Sequence, residues 1–174
     1  MMRIRQELAA DRDGSLEVER EAFGEPEEAA IVEVVRDLEG SFALVAHDDD
    51  AIVGHVQMSR AWIGETPVLS LGPVGVLPAR QGRGIGSALV QAALDASRER
   101  GETAVILLGS QAFYPRFGFR PGSTLGLRNP YAGVQEAGFV VQEYDFMIAL
   151  LGEDHHSFEG TVRWHPAFGA PVEG

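Results

Sequence analysis

The stretch Leu71-Gly72-Pro73-Val74-Gly75-Val76-Leu77-Pro78-Ala79-Arg80-Gln81-Gly82-Arg83-Gly84-Ile85-Gly86-Ser87 restricts the folds open to this chain more than any other part of it. It joins two unlike patterns. Val68 to Val76 holds no charged residue and reads as an interior strand. From Ile85 onward, Ile85, Ala88, Leu89, Ala92, Ala93 and Ala96 recur at helical spacing, and Gly101 stops the helix. Thr103 to Leu108 then supplies an apolar strand of the kind covered on both faces. Strand, helix and strand at this spacing make a right-handed crossover unit, so the centre of the sheet must hold a parallel pair.

The flanking sequence adds antiparallel strands and helices around that unit. Met2 to Glu7 reads as a short opening strand, and Asp11 to Phe23 as a helix with Leu16, Glu19, Arg20 and Phe23 at helical spacing. Pro26 opens a second helix whose expected apolar stripe is Ile31, Val34, Val35 and Leu38, ended by Gly40. Phe42 to His47 and Ala51 to Trp62 form a hairpin about Asp48-Asp49-Asp50, and Gly64-Glu65-Thr66-Pro67 turns the chain into the Val68 strand. Later, a short helix is expected over Ala112 to Phe117, with strands over Phe139 to Leu150 and Gly160 to Trp164.

Composition bounds the chemistry. A chain of 174 residues that is 45% hydrophobic can bury a sizeable core, and one domain over residues 1–174 is expected. The chain has no cysteine, which excludes disulfides, thiolate zinc sites and a cysteine nucleophile. Met1 to Glu7 has no signal-like apolar run, and no stretch approaches the roughly 18 apolar residues of a membrane span. The expected compartment is the cytoplasm, with no membrane partner. A net charge of −12 argues against binding nucleic acid, and favours a cationic small molecule or a basic peptide terminus.

The glycine-rich turn is suited to an anion. Glycine lets the backbone approach a ligand closely, and the first amides of the following helix point outward with the positive end of its dipole. Such a turn holds phosphate or pyrophosphate. A phosphate-binding P-loop would need lysine after the last glycine, and none follows Gly86. A dinucleotide fingerprint would place its glycines near the start of the first βαβ unit, whereas Gly82, Gly84 and Gly86 follow two helices and several strands.

Gln81, Gly84 and Gly86 match the Gln/Arg-x-x-Gly-x-Gly/Ala signature, preceded by a strand ending Val74-Gly75-Val76 and followed by Phe113-Tyr114-Pro115-Arg116-Phe117-Gly118-Phe119. On these residues the chain resembles the GNAT superfamily of acetyl-CoA-dependent N-acetyltransferases, in a small single-domain branch of bacterial type. The resemblance covers residues 40 to 120 well and the first third by element order; the tail is similar only near Ala167-Phe168.

The resemblance implies an α/β fold, an α+β mixed sheet of about seven mostly antiparallel strands, splayed between strands 4 and 5, with about four helices. It implies that Gln81, Gly82, Arg83, Gly84, Ile85, Gly86 and Ser87 hold the pyrophosphate of coenzyme A, and that Val74, Gly75 and Val76 pair with its pantetheine arm. It also implies that an amide near Val76 polarises the thioester carbonyl, and that Tyr114 is the general acid for the departing thiolate. The expected acceptor is a primary amine of a small molecule or peptide, taken up by a monomer or a homodimer. A coenzyme A binding module without transfer activity is the alternative reading.

The general base is the gap, because Val68 to Val76 contains no carboxylate. An ordered water chain is the first expectation, His55 the second, and Glu143 or Asp145 remain as further options. At Ser110-Gln111 the chain departs from the family pattern, which puts contacts to the adenosine end in doubt. Asp154, His155, His156 and His165 lack metal-ligand spacing, and no metal is expected. Trp62, Phe23 and the helix after Pro26 either wall the acceptor pocket or belong to the core.

Overall fold

A computed structural model gives the fold and describes residues 1–136, 138–152 and 157–169. In chain order the elements are β1 (Met2–Gln6), α1 (Arg12–Phe23), α2 (Glu27–Val35), β2 (Phe42–Asp48), β3 (Ala51–Ile63), β4 (Thr66–Val76), α3 (Ile85–Glu99) and β5 (Ala104–Leu108). The shorter strands β6 (Arg120–Pro121), β7 (Gln135–Glu136), β8 (Phe139–Val140), β9 (Phe146–Leu150) and β10 (Val162–Arg163) follow. Hydrogen-bonded neighbours run β1-β2-β3-β4-β5-β9-β6, with β10 beside β3, while β7 and β8 pair apart. This is the expected mixed sheet with a parallel β4–β5 pair at its centre, enlarged to eight strands.

The chain divides into two compact units, Met1–Ser59 with Leu71–Ala96, and Arg60–Ser70 with the residues from Ser97 onward. In the first, β1 pairs antiparallel with β2, and β2 with β3, the chain turning at Asp49 in a left-handed conformation. Helix α1 ends where the Gly24 amide bonds to Arg20 O at 2.9 Å in a left-handed cap. Its Leu16 packs with Ala29 and Val32 of α2. The buried face of α2 is therefore Ala29, Val32 and Val35, which keeps Val35 of the predicted stripe while Ile31 is only partly buried. Val34 and Leu38 are exposed, because the helix ends at Val35 and leaves Leu38 beyond it. Over β3, Gly54 leaves room for Leu89 and Ile85 of α3; a Cβ there would lie 2.9 Å from Leu89 Cδ1.

In the second unit, β4 meets β5 through Leu69–Val105 and Ser70–Ile106, and β5 meets β9 antiparallel from Ala104–Leu150 to Leu108–Phe146. Val68, Ile106, Phe146 and Ile148 are buried in one cluster with Ala61, Ile63 and Val162. The Arg60 guanidinium adds a two-pronged pair to Glu102, both bonds at 2.8 Å, and a bond to Val68 O.

Three expectations in this unit change. The strand predicted over Phe139 to Leu150 is broken, because Asp145 Oδ2 accepts the Gln142 amide at 2.7 Å and forms a turn over Glu143–Asp145 before β9 starts. The helix predicted over Ala112 to Phe117 is a single 3-10 turn, Tyr114–Phe117, in which Pro115 has no amide to extend a ladder and left-handed Gly118 ends the turn. The described residues therefore hold three α-helices beside their 3-10 turns, close to the expected count of about four. The last predicted strand shrinks to β10, paired with Trp62 and Ile63.

Candidate active site

The turn before α3 is built as the glycine spacing suggests. Gly82 and Gly84 have φ of 73° and 79°, the left-handed region where a side chain is strained. A Cβ on either would meet nothing within 4 Å, so their conformation and not crowding calls for glycine. The first bond of the helical ladder runs from Ala88 N to Gly84 O at 3.0 Å, which leaves the amides of Ile85, Gly86 and Ser87 ahead of the ladder. Gln81 Nε2 donates to Val76 O at 3.0 Å, tying the turn to the end of β4 by its side chain. Arg83 is exposed on the same turn. Exposed left-handed glycines and unladdered amides at a helix start fit a pyrophosphate group.

On β4, Val74 and Val76 are partly buried, and Gly75 between them is buried. The peptide between Gly72 and Pro73 is cis. A Cβ on Gly75 would lie 2.6 Å from Glu19 Oε2, so the Glu19 carboxylate rests on the main chain of the strand with no side chain between. Glu19 comes from α1 and is fully buried. His55 Nδ1 is 2.6 Å from Glu19 Oε1, and His55 is also fully buried. On its other side His55 Nε2 lies 3.8 Å from Glu7 Oε1, which accepts from Arg36 Nη2 at 3.1 Å.

Burial is the largest influence on the Glu19 carboxyl and pushes its pKa up, while the His55 hydrogen bond and, more weakly, the Gly75 amide oppose it. A carboxyl whose folded-state pKa is raised gives stability that is full below the unfolded pKa and lost as pH rises through the folded one. Glu19→Gln removes that loss. Its melting temperature relative to wild type is expected to improve as pH rises from about 4, where an unfolded glutamate titrates, upward. Thermal unfolding of both proteins across that range checks this, and a difference independent of pH would contradict it.

Sequence reasoning passed over Glu19 as a candidate. The signal was present, since Glu19 falls three residues after Leu16 and four before Phe23, on the apolar stripe of its helix. His55, the second-choice base, proves to be its hydrogen-bond partner. Glu143 and Asp145 are occupied as turn caps, accepting the amides of Asn129 and Gln142 at 2.7 Å each.

Tyr114 opens the 3-10 turn, its ring edge-on to Phe113 and Phe119 with centroids 4.9 and 5.8 Å away. The bare Cα of Gly109 faces that ring so closely that a Cβ would overlap it. Burial raises the Tyr114 phenol above its ordinary value, so it stays protonated at neutral pH and keeps a proton to give.

Ser110 Oγ accepts the Ala112 amide at 3.1 Å, and Gln111 donates to Tyr144 O at 3.3 Å, in a cleft of about 530 Å³. Trp62 lines a separate cleft of about 740 Å³ with Tyr131, Arg163 and Trp164. Phe23 is 44% exposed. His165 Nδ1 accepts the Ala167 amide at 3.1 Å, capping the Pro166–Phe168 turn. Asp154, His155 and His156 lie outside the described residues, among which no acidic or histidine cluster could hold a metal. No described helix is long and apolar enough to cross a membrane.

Residues 12–119 match the profile of the acetyltransferase (GNAT) family. The chain is 30% identical to the uncharacterized N-acetyltransferase YhbS of Escherichia coli strain K12, over 96% of this chain and 98% of the relative. The crystal structure of Escherichia coli YhbS in complex with CoA is similar with a TM-score of 0.82 and 29% identity, over 96% of this chain and 91% of that one. A GNAT family acetyltransferase from Brucella melitensis, solved in complex with acetyl-CoA, gives a TM-score of 0.73 and 30% identity over 97% and 98%.

Proposed function

The chain belongs to the acetyltransferase (GNAT) family, and from that premise we propose that it transfers the acetyl group of acetyl-CoA to a primary amine of a small molecule or peptide. The observation that carries this reading is the exposed glycine turn ahead of α3, tied through Gln81 to the end of β4. Two similar structures, from Escherichia coli and Brucella melitensis, are complexes with CoA and acetyl-CoA.

Acetyl-CoA supplies the acetyl group as an activated thioester. In the proposed site the amides of Gly82 to Ser87 hold the pyrophosphate, with Arg83 adding a charge contact. Val74 to Val76 offer main-chain groups to the pantetheine arm in the manner of an added strand. The amide near Val76 donates to the thioester oxygen as charge develops there. The amine attacks directly in a ternary complex, so no covalent enzyme intermediate forms. Tyr114 gives its proton to the departing sulfur. The net charge of −12 favours a cationic acceptor, drawn in by the field of the protein.

Tyr114→Phe tests this assignment. Turnover is expected to fall by up to about 100-fold, the lower end for an acid catalyst because a thiolate with pKa near 8.5 leaves readily. Acetyl-CoA affinity, measured by calorimetry, is expected to stay near wild type. Unchanged turnover would remove Tyr114 from the reaction.

A further inference from the structure

An amine acceptor arrives protonated at neutral pH and must lose a proton before its nitrogen can attack. β4 offers no carboxylate for the task. The first unit brings one there from elsewhere: Glu19 of α1 lies against the main chain of Gly75, one residue before Val76. We propose that Glu19 is the proton acceptor for the incoming amine and that His55 is a positioning residue holding its carboxylate against β4. The inference rests on the reading above, that the thioester lies along Val74 to Val76.

Two independent observations support it. Glycine at position 75 is what allows the contact, since any Cβ would sit 2.6 Å from Glu19 Oε2. That oxygen makes no regular hydrogen bond although it is buried, and Ser15 Oγ, one turn earlier on the same helix, is buried without a partner too. Buried polar atoms left this way mark places where a protein keeps capacity for a ligand or a proton.

The surroundings set how Glu19 titrates. His55 on β3 bonds Oε1 and favours the charged form; Glu28 on α2 disfavours it; the Gly75 amide favours it weakly. Beyond His55 stand Glu7 and Arg36, which pair with each other. With burial dominant, the carboxyl becomes a stronger base than an exposed glutamate, as a group working near neutral pH requires.

The step balances. One proton passes from the ammonium to Glu19, leaving a neutral amine with its lone pair and a neutral carboxylic acid. The C–N bond forms as the C–S bond breaks, the bonding pair leaving on sulfur. Tyr114 gives its proton to the thiolate, the second proton lost by the nitrogen restores Tyr114, and the proton on Glu19 returns to solvent.

The test compares nucleophiles that differ in their need for a base. The full chain, with acetyl-CoA, is assayed against alkylamines (spermidine, lysine, glucosamine and phenethylamine) and against methoxyamine, whose nitrogen is neutral at pH 7. Glu19→Gln is expected to lose about 100-fold or more in kcat/KM with the alkylamine that wild type uses best, and only a few-fold with methoxyamine. Wild-type kcat/KM for the alkylamine is expected to fall on acidification along a limb that Glu19→Gln lacks. His55→Gln removes a group that favours the charged form, so it is expected to move that limb to higher pH. Infrared titration of the wild type, which needs no turnover, is expected to show a protonated-carboxyl band absent from Glu19→Gln and titrating with the same midpoint.

Equal losses on both classes of nucleophile, or a limb unchanged in Glu19→Gln, would reduce Glu19 to a structural residue while leaving the transferase reading intact. A wild type that binds acetyl-CoA and acetylates none of these amines would overturn both.

Discussion

Phe146→Ala is expected to lower the unfolding free energy by about 3–5 kcal/mol, the range for emptying an aromatic site in a core. Phe146 is fully buried at the start of β9 among Val68, Ile106 and Ile148, with Trp164 edge-on at 5.7 Å between centroids. A domain of this size has about 5–15 kcal/mol to lose, so the melting temperature should drop by roughly 6–20 °C. Gly122 makes the prediction sharper. It is buried against the ring of Phe146, where a Cβ would overlap the edge carbons, and its φ lies outside the left-handed region.

Gly122→Ala alone is therefore expected to cost about 1–3 kcal/mol through overpacking. In the Phe146→Ala background the same methyl enters the space the ring has left, and its cost should nearly vanish. A double-mutant cycle by denaturant unfolding reads the coupling, expected at about 1–3 kcal/mol in the favourable sense. Simple additivity would show that the two sites do not share a cavity.

Gly84→Glu is expected to weaken acetyl-CoA binding by about 30- to 5,000-fold while the fold survives. Two costs combine. A side chain at φ 79° costs roughly 1–2 kcal/mol of backbone strain. A carboxylate beside the pyrophosphate adds about 1–3 kcal/mol of repulsion at a separation near 5 Å. Because a Cβ at Gly84 would meet nothing within 4 Å, no packing loss confuses the result.

Gly84→Ala carries the strain without the charge and should weaken binding less. Salt separates the two, since screening acts on repulsion and not on strain. The gap between the glutamate and alanine variants is expected to narrow as ionic strength rises. Equal affinities for wild type and Gly84→Glu would move the pyrophosphate away from this turn.

The parts of the fold that were legible in the sequence are those governed by local rules. Gly82 and Gly84 announced the turn because only a left-handed backbone needs glycine at such spacing, and the alanine-rich stripe announced α3. Pro115 ended a helix that periodicity alone had extended, and Asp145 broke a strand by capping Gln142, so both misreadings come from single residues competing with a pattern. The α2 stripe was misplaced in part for a related reason, since apolar residues on both sides of a short helix leave the buried face to be chosen by Leu16.

Glu19 belongs to a different class. Its place beside Gly75 depends on a contact between residues 56 positions apart, and only its position on an apolar stripe hinted at burial. The absence of a carboxylate on β4 was readable; its replacement from α1, with His55 beneath it, was not.

The most direct test of the whole account is continuous detection of free coenzyme A thiol while wild-type protein and acetyl-CoA meet a panel of amines, with cationic amines among them. The account predicts thiol release that depends on the amine, and that depends on it in proportion to acetylated product. Tight acetyl-CoA binding with no release above the amine-free rate, across the panel, would contradict it and leave a protein that binds the coenzyme without transferring its acetyl group.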